Sequence, residues 1–290
     1  MNKKKRVFFA LLGLSVISFA IISIVSLRWV RVHEHMVYFD ALPSHLEGLR
    51  ILHISDLHSN HVSRMNVDIW RHIELLEFDI AVITGDIVTD QSWPLAGPMP
   101  YLDPHKPYLA TLAARVPTFF VEGNHESRSY GLFKPIMEDL GITFLRNEIY
   151  QLPLNGGYLE IVGTKDLSSI RRMRAGEGDA ALAALFDAPA DFRLVLTHQP
   201  QVFDLVKDHG QMLLLAGHTH GGQLRLPFAP VLYAPGQGFF PIYGEGYYRH
   251  ESEHGHEALL YVSSGVGTTY FPLRFWIRPV ITVHELSSRT

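Results

Sequence analysis

Residues 213–227 read LLLAGHTHGGQLRLP. An apolar run stops at Gly217; His218 and His220 follow with one residue between them, and then come two glycines. A run of this length and composition predicts a buried strand, with a turn directly behind it. Two imidazoles at i and i+2 can grip one ion only if the backbone turns between them. The pair is therefore either half of a metal site or two polar turn residues, and other segments must supply the remaining donors if it is the former.

The same grammar recurs along the chain. RILHIS (50–55) leads to Asp56-Leu57-His58, and DIAVIT (79–84) leads to Gly85-Asp86. VPTFFV (116–121) leads to Glu122-Gly123-Asn124-His125, and FRLVLT (192–197) leads to His198-Gln199-Pro200. Leu259–Val262 and Val280–Leu286 read as closing strands. Helical segments lie between: Met65, Ile69, Ile73 and Leu76 share one face, Ala180–Phe186 is a second candidate, and Pro200 is placed to start a helix through Leu205. Alternating strands and helices predict an α/β core, in which ligands collect beyond the carboxyl ends of the strands. Five polar clusters at five strand ends then converge on one rim.

Collected, the clusters offer Asp56, His58, Asp86, Asn124, His125, His198, His218 and His220. Carboxylate, amide oxygen and imidazole suit Mn, Fe or Zn. Asp86, the one carboxylate of its cluster, could bridge two ions through its two oxygens. The chain has no cysteine, which excludes disulfides, thiolate zinc sites and thiol nucleophiles. Its 25 Lys and Arg against 29 Asp and Glu make no electrostatic case for a nucleic-acid partner.

The amino terminus differs from the rest. Lys3, Lys4, Lys5 and Arg6 precede an uncharged apolar run from Val7 to Leu27, closed by Arg28, Trp29 and Arg31. About 20 apolar residues span a bilayer as a helix, and Trp29 stands where an interfacial aromatic would. A cleaved signal peptide is the alternative, with Ser18-Phe19-Ala20 as a small-x-small site. The apolar run continues past it, which favours an uncleaved single-pass anchor in the cell (inner) membrane. The basic residues ahead of the span favour a cytoplasmic amino terminus and an external, periplasmic catalytic domain. Residues 1–30 are then an anchor, 31–49 a linker with the strand that enters the domain, and 50–290 the catalytic domain.

SDLH (55–58), TGD (84–86), GNHE (123–126), TH (197–198) and GHTH (217–220) appear in the order of the motifs D-x-H, G-D, G-N-H-[ED], H and G-H-x-H. In this the chain closely resembles the calcineurin-like metallophosphoesterases. The resemblance implies a four-layer αββα sandwich, two mixed sheets flanked by helices, with two divalent metal ions at the strand ends. It implies that Asp56, His58 and His220 hold one ion, that Asp86 bridges, and that Asn124, His198 and His218 hold the other. It gives His125 either the proton transfer to the leaving oxygen or the stabilisation of the transition-state charge, and the enzyme the hydrolysis of a phosphodiester or phosphoanhydride by metal-activated hydroxide. Thr89 stands where the red, tyrosinate-iron branch carries Tyr, so Mn is expected first and Zn or Fe(II) next. The anchor, GHTHGGQ and an aromatic stretch resemble the bacterial branch of membrane-associated phosphodiesterases, some of which hydrolyse UDP-2,3-diacylglucosamine in lipid A synthesis. The substrate expected is thus a phosphorylated small molecule or a lipid-linked one. A scaffold that binds metal without catalysis is the non-enzymatic alternative.

Blander readings apply elsewhere. His33, His35, His254 and His256 read as solvated surface residues, His53 as a structural histidine inside a strand and His61 as a loop residue. Arg171, Arg172 and Arg174 read as a solvated face, Glu126 as a support that orients His125, and Arg274, on family analogy, as an anion contact. Gln91–Pro107 reads as a proline-rich loop. The aromatic stretch Phe228–Tyr248 is either a lid or packing, and Phe271, Phe275 and Trp276 either a buried strand or a membrane contact.

Overall fold

The structure, a computed structural model, describes residues 2–59, 68–89, 102–173, 176–223, 225, 229–268 and 274–289. Met65, His61, Arg174, Phe228, Phe271 and positions 91–101 of the proline-rich stretch lie outside them. A 26-residue helix, α1 (Lys3–Arg28), comes first, and it is long and apolar enough to cross a membrane.

The strands of one six-stranded sheet are β1 (Arg31–Phe39), β2 (Arg50–Ile54), β3 (Ile80–Ile83), β4 (Thr118–Val121), β5 (Thr143–Leu145) and, returning from the carboxyl terminus, β14 (Val280–Ser288), in the order β1-β14-β2-β3-β4-β5. A second six-stranded sheet contains β6 (Glu148–Leu154), β7 (Gly157–Gly163), β8 (Arg193–Leu196), β9 (Met212–Ala216), β12 (Gly246–Glu251) and β13 (Glu257–Val262), in the order β12-β13-β9-β8-β7-β6. A two-stranded ribbon, β10 (Tyr233–Ala234) with β11 (Gly238–Phe239), stands apart. Both large sheets are mixed: β2 through β5 and β7, β8, β9 and β13 run parallel, while β14 meets β2, β12 meets β13 and β6 meets β7 antiparallel.

Period-2 alternation decides which way each strand side chain points. Ile51, Val82, Phe119, Leu194, Leu196, Leu213 and Leu215 face inward and form one core between the sheets. Their neighbours Leu52, Ile54, Ala81, Ile83 and Phe120 face outward, under α2 (Asp68–Glu74), α3 (Lys106–Arg115) and α4 (Tyr130–Asp139). On the opposite side Val195, Leu214 and Leu260 face Ile170, Leu182 and Phe203 of α5 (Leu167–Arg171), α6 (Glu177–Ala183) and α7 (Phe203–Val206). Strands apolar on both faces must be covered on both faces, and helix–sheet–sheet–helix layering follows.

Two surface readings change. His33 and His35 lie within β1 rather than on a free surface; both are half-buried, and burial pushes each below its ordinary value. Phe275 and Trp276 do not form a buried strand: Phe275 stacks on Phe19 of α1, with ring centroids 4.8 Å apart, and Trp276 is exposed. His254 and His256 are exposed, as read from the sequence, and His53 is fully buried with Nε2 2.8 Å from Thr84 Oγ1.

Another buried histidine, His105, sets a pH dependence. Trp70 Nε1–H donates to its Nδ1 at 3.1 Å, so its proton sits on Nε2, 3.0 Å from Ser59 Oγ. Burial lowers it to about 4 from an ordinary 6.5. Between those values the unfolded chain binds a proton that the fold excludes, so stability is lost as pH falls from 6.5 towards 4, at up to about 1.4 kcal/mol per pH unit. His105→Gln is expected to shrink the fall in denaturation midpoint between those two pH values. An equal fall in variant and wild type would show that His105 is not the group that titrates.

Candidate metal centre

Each predicted donor sits at the carboxyl end of a parallel strand: Asp56 and His58 after β2, Asp86 after β3, Asn124 and His125 after β4, His198 after β8, His218 and His220 after β9. The rims of the two sheets meet, and all eight side chains come together. Asp56, His58 and His220 present one donor atom each within 4.8 Å of one another; so do Asp86, His198 and His218, and so do His58, Asp86 and His125. Asp86 belongs to two of these groups, consistent in placement with a bridge. Asn124 Oδ1 joins the second group 3.2 Å from His198 Nε2.

The donor set passes a geometric test for metal. Ligands about 2.0–2.2 Å from one ion, at tetrahedral or adjacent octahedral positions, stand about 2.8–3.6 Å from each other. His58 Nε2 is 3.1 Å from His220 Nε2 and 3.5 Å from Asp86 Oδ2, His220 Nε2 is 3.5 Å from Asp56 Oδ1, and His198 Nε2 is 3.1 Å from Asp86 Oδ2 and from His218 Nδ1. Ring nitrogens and carboxylate oxygens converging at these distances in a buried site suit a shared cation. The outer ring nitrogens are held as ligands require: His198 Nδ1–H donates to Thr84 O at 2.7 Å, and His58 Nδ1 lies 3.2 Å from Thr89 Oγ1.

Electrostatics point the same way. Burial opposes ionisation of Asp56 and Asp86, yet the surrounding histidines hold both below the usual carboxylate range. Burial likewise opposes charge on His198, but the Asp86 carboxylate outweighs it and pushes the imidazole up to about 10. Burial lowers His218 to about 4, with charged His198 beside it adding to the effect, and pushes His220 well below its ordinary value. Two fully buried carboxylates and their imidazoles thus form a pit of negative potential.

The backbone holds this pit under strain. Asp56, His58, Asp86, His218 and His220 all have positive φ, between 44° and 72°. For residues with a β-carbon each such conformation costs about 1 kcal/mol or more and persists only where surroundings enforce it. The enforcing contacts are identifiable. His218 N–H donates to both Asp56 oxygens at 3.0 and 3.1 Å, Ser55 Oγ–H to Asp56 Oδ2 at 2.6 Å, and His125 N–H to Asp86 Oδ1 at 3.1 Å.

A profile of the calcineurin-like phosphoesterases matches residues 49–222, the segment that carries every one of these donors. The chain belongs to that family. An uncharacterised metallophosphoesterase of Bacillus subtilis, YkuE, is 32% identical over 88% of this chain and 85% of its own length. The phosphodiesterase YaeI of Escherichia coli is 30% identical over 89% of this chain and 88% of its own. A bovine transmembrane protein with a metallophosphoesterase domain is 27% identical over 83% of this chain, which spans 53% of that protein. Members of this family are metal-dependent phosphoric ester hydrolases, and the chain is an enzyme of that class.

Sequence reading assigned two of the phosphoesterase's supporting residues differently. Arg274 is fully buried and is no anion contact: its guanidinium donates to the carbonyls of Ser264 (2.9 Å), Gly265 (3.1 Å) and Gly267. It clamps the loop whose Gly265 abuts Asp56, where a β-carbon would lie 2.6 Å from that of Asp56. The Glu126 carboxylate accepts from Asp86 N–H and Gly123 N–H, each at 2.9 Å, and so ties the second and third motifs together. Ser55, Thr84 and Thr89 went unnoticed as supports, though the first two sit inside the quoted motifs. Of the aromatic stretch, Tyr243 is buried, while Tyr233, Phe239 and Phe240 are exposed; the turn of their ribbon passes the site, where a β-carbon on Gly236 would stand 3.3 Å from His218 Nε2.

Gly217 gives a structural test. A β-carbon there would overlap Ser55 Oγ and Asp56 Oδ2, both pinned, whereas one on Gly131 meets nothing within 4 Å. Gly217→Ala is expected to lower stability by about 1–3 kcal/mol and Gly131→Ala to leave it unchanged or slightly raised. Equal thermal midpoints for the two variants would contradict the packing described.

Proposed function

We propose that this chain is a membrane-anchored phosphodiesterase with a dinuclear centre, in which Asp56, His58 and His220 hold one divalent ion, Asn124, His198 and His218 the other, and Asp86 both. The observation that carries the reading is the sharing of Asp86 between two buried donor groups at one rim. Mn is the expected metal, with Zn or Fe(II) next, because the donors are hard to borderline and Thr89 supplies no phenolate. Bound ions of this kind supply Lewis acidity and make a neighbouring water acidic enough to attack phosphorus near neutral pH. The chain's own residues do the rest. The paired loops fix the donors before substrate arrives, and Thr84 O and Thr89 Oγ1 hold the outer ring nitrogens of His198 and His58 so that their Nε2 atoms face the centre. His125, whose Nε2 lies 3.7 Å from Asp86 Oδ2, gives a proton to the leaving oxygen.

Helix α1 supplies the anchor in this reading. The bovine relative's transmembrane character supports it, as does an apolar run matched to a bilayer of about 30 Å. Four cations ahead of the run support a cytoplasmic amino terminus and a catalytic domain outside the inner membrane.

A second reading has its own observation. The ribbon beside His218 exposes Phe239, Phe240 and Ile242, each more than 70% accessible, and Phe240 holds a positive φ of 53°. An apolar tip beside a phosphoesterase site suits an acylated substrate such as UDP-2,3-diacylglucosamine. That substrate would require a cytoplasmic domain, so a reporter fused to the carboxyl terminus separates the readings: an external signal favours the first, a cytoplasmic one the second.

Activity on bis-p-nitrophenyl phosphate with added Mn tests the chemistry. Asp86→Asn is expected to lower both bound metal and kcat, the latter by about 100-fold or more. His125→Ala is expected to keep its metal while kcat falls by about 10²–10⁴-fold. Full activity in both variants would remove the mechanism, and tight metal binding without any hydrolysis by the wild type would favour a scaffold.

A further inference from the structure

A cavity of about 710 Å³ opens where the last turns of α1 meet the phosphoesterase domain. That is within the range of about 300–1,000 Å³ usual for small-molecule sites. Its two sides differ in chemistry. Ile21, Ile22 and Val25 of α1, with Ile277 opposite, make an apolar wall. Arg31, Arg225 and Arg278 are also in the lining, and Arg31 N–H donates to Pro279 O at 2.8 Å, which makes Arg31 and Arg278 backbone neighbours.

The charges there do not cancel. Among the described residues Glu245 is the single carboxylate in the lining, and it is ion-paired with Arg225. Among the described residues no carboxylate forms an ion pair with Arg31 or Arg278; Arg278 instead lies over the ring of Trp29, 4.2 Å from its centroid. The lining histidines, His33 and His35, are held below their ordinary values chiefly by burial and add no charge near neutral pH.

The position of the cavity along α1 identifies its occupant. Phe19 stacks on Phe275, so the domain grips α1 from about Phe19 onward, within the apolar run rather than beyond it. Trp29 and Trp276 are both more than half exposed at the mouth of this region, and Trp276 holds φ 65°, an outlier for a bulky side chain. Exposed tryptophans, snorkelling arginines and an apolar wall are the pattern of a bilayer's headgroup level.

The geometry points to a binding site for one anionic phospholipid, its phosphate between Arg31 and Arg278 and the upper part of one acyl chain along Ile22 and Val25. This assignment rests on reading α1 as a membrane anchor. It has a consequence for the catalytic rim: Glu245, Ile277 and Ser264 line the cavity and also stand where a β-carbon on Gly221, the neighbour of His220, would touch them at 2.7–3.1 Å. The lipid therefore buttresses the loop that carries His218 and His220 from behind.

The full chain, reconstituted in nanodiscs of equal phosphatidylglycerol and phosphatidylcholine and released into mild detergent, tests this by native mass spectrometry. Wild type is expected to retain one phosphatidylglycerol in preference to phosphatidylcholine by about tenfold or more, as two cations near an anionic headgroup should give. Arg31→Gln with Arg278→Gln is expected to abolish the preference. Val25→Trp, which fills the apolar side and leaves the charges, is expected to abolish retention and covers the case in which the double variant misfolds. Equal retention of the two lipids by wild type, or retention unchanged in Val25→Trp, overturns the site. Displacement of the lipid by inorganic phosphate alone also overturns it, since the occupant would then be a soluble anion. Sedimentation with salt-washed membranes is read in parallel. A chain that does not sediment refutes the anchor and with it this site, whereas one that sediments without retaining phosphatidylglycerol refutes the site alone.

Discussion

Two buried carboxylates govern this molecule. Asp56 and Asp86 are fully excluded from solvent, side by side in charge though not in sequence, and a pair of unscreened negative charges in a protein interior is among the costliest arrangements a fold can hold. The chain counters the cost in layers. Backbone N–H groups of His218 and His125 donate to them, the Ser55 hydroxyl adds a bond, and a shell of imidazoles stands ready to take either protons or a shared cation. Strands β2, β3, β4, β8 and β9, drawn from both sheets, each supply one or more of those groups, so the packing of the two sheets and the charge state of the rim are one problem.

Much of this was legible from the amino-acid order because burial on two faces writes itself into sequence. Runs such as IAVI and MLLLA carry no polar residue, which only an interior strand tolerates, and each is followed by the polar cluster it presents. The edges were not legible for the converse reason. β6 alternates weakly and contains Pro153, which a central strand could not accommodate; it is allowed because β6 closes its sheet with one side unpaired. Helix α4 does carry a periodic apolar face, Phe133, Ile136 and Met137, but Pro135 within it masks the signal.

Within the rim, donors could be read and supports could not. A donor is defined by its side chain, which the sequence names. A support is defined by what its side chain meets. Arg274 carries the charge of an anion contact but donates to four carbonyls, and Glu126 neighbours His125 in sequence while bonding to the backbone of Asp86 and Gly123. Nor does composition announce that Asp56, His58, Asp86, His218 and His220 sit in left-handed backbone, since glycine is the residue that normally marks such positions. The glycines lie one place away, where Gly217 lets His218 approach Asp56.

That displacement explains why strain and function coincide here. Had glycine occupied the left-handed positions, the backbone would relax but no ligand could project from them. Placing Asp and His there instead stores several unfavourable conformations in one shell, all aimed inward. A cation bound among them engages the side chains in the geometry the backbone already imposes, so its binding energy is spent on retaining the fold rather than on rearranging it. The same argument runs outward from the rim. The His220 loop is strained, its next residue Gly221 leans on Glu245 and Ile277, and those two line the cavity against α1. The loop that carries His220 therefore rests on the part of the domain nearest α1, and whatever fills that cavity bears on how firmly that loop is held.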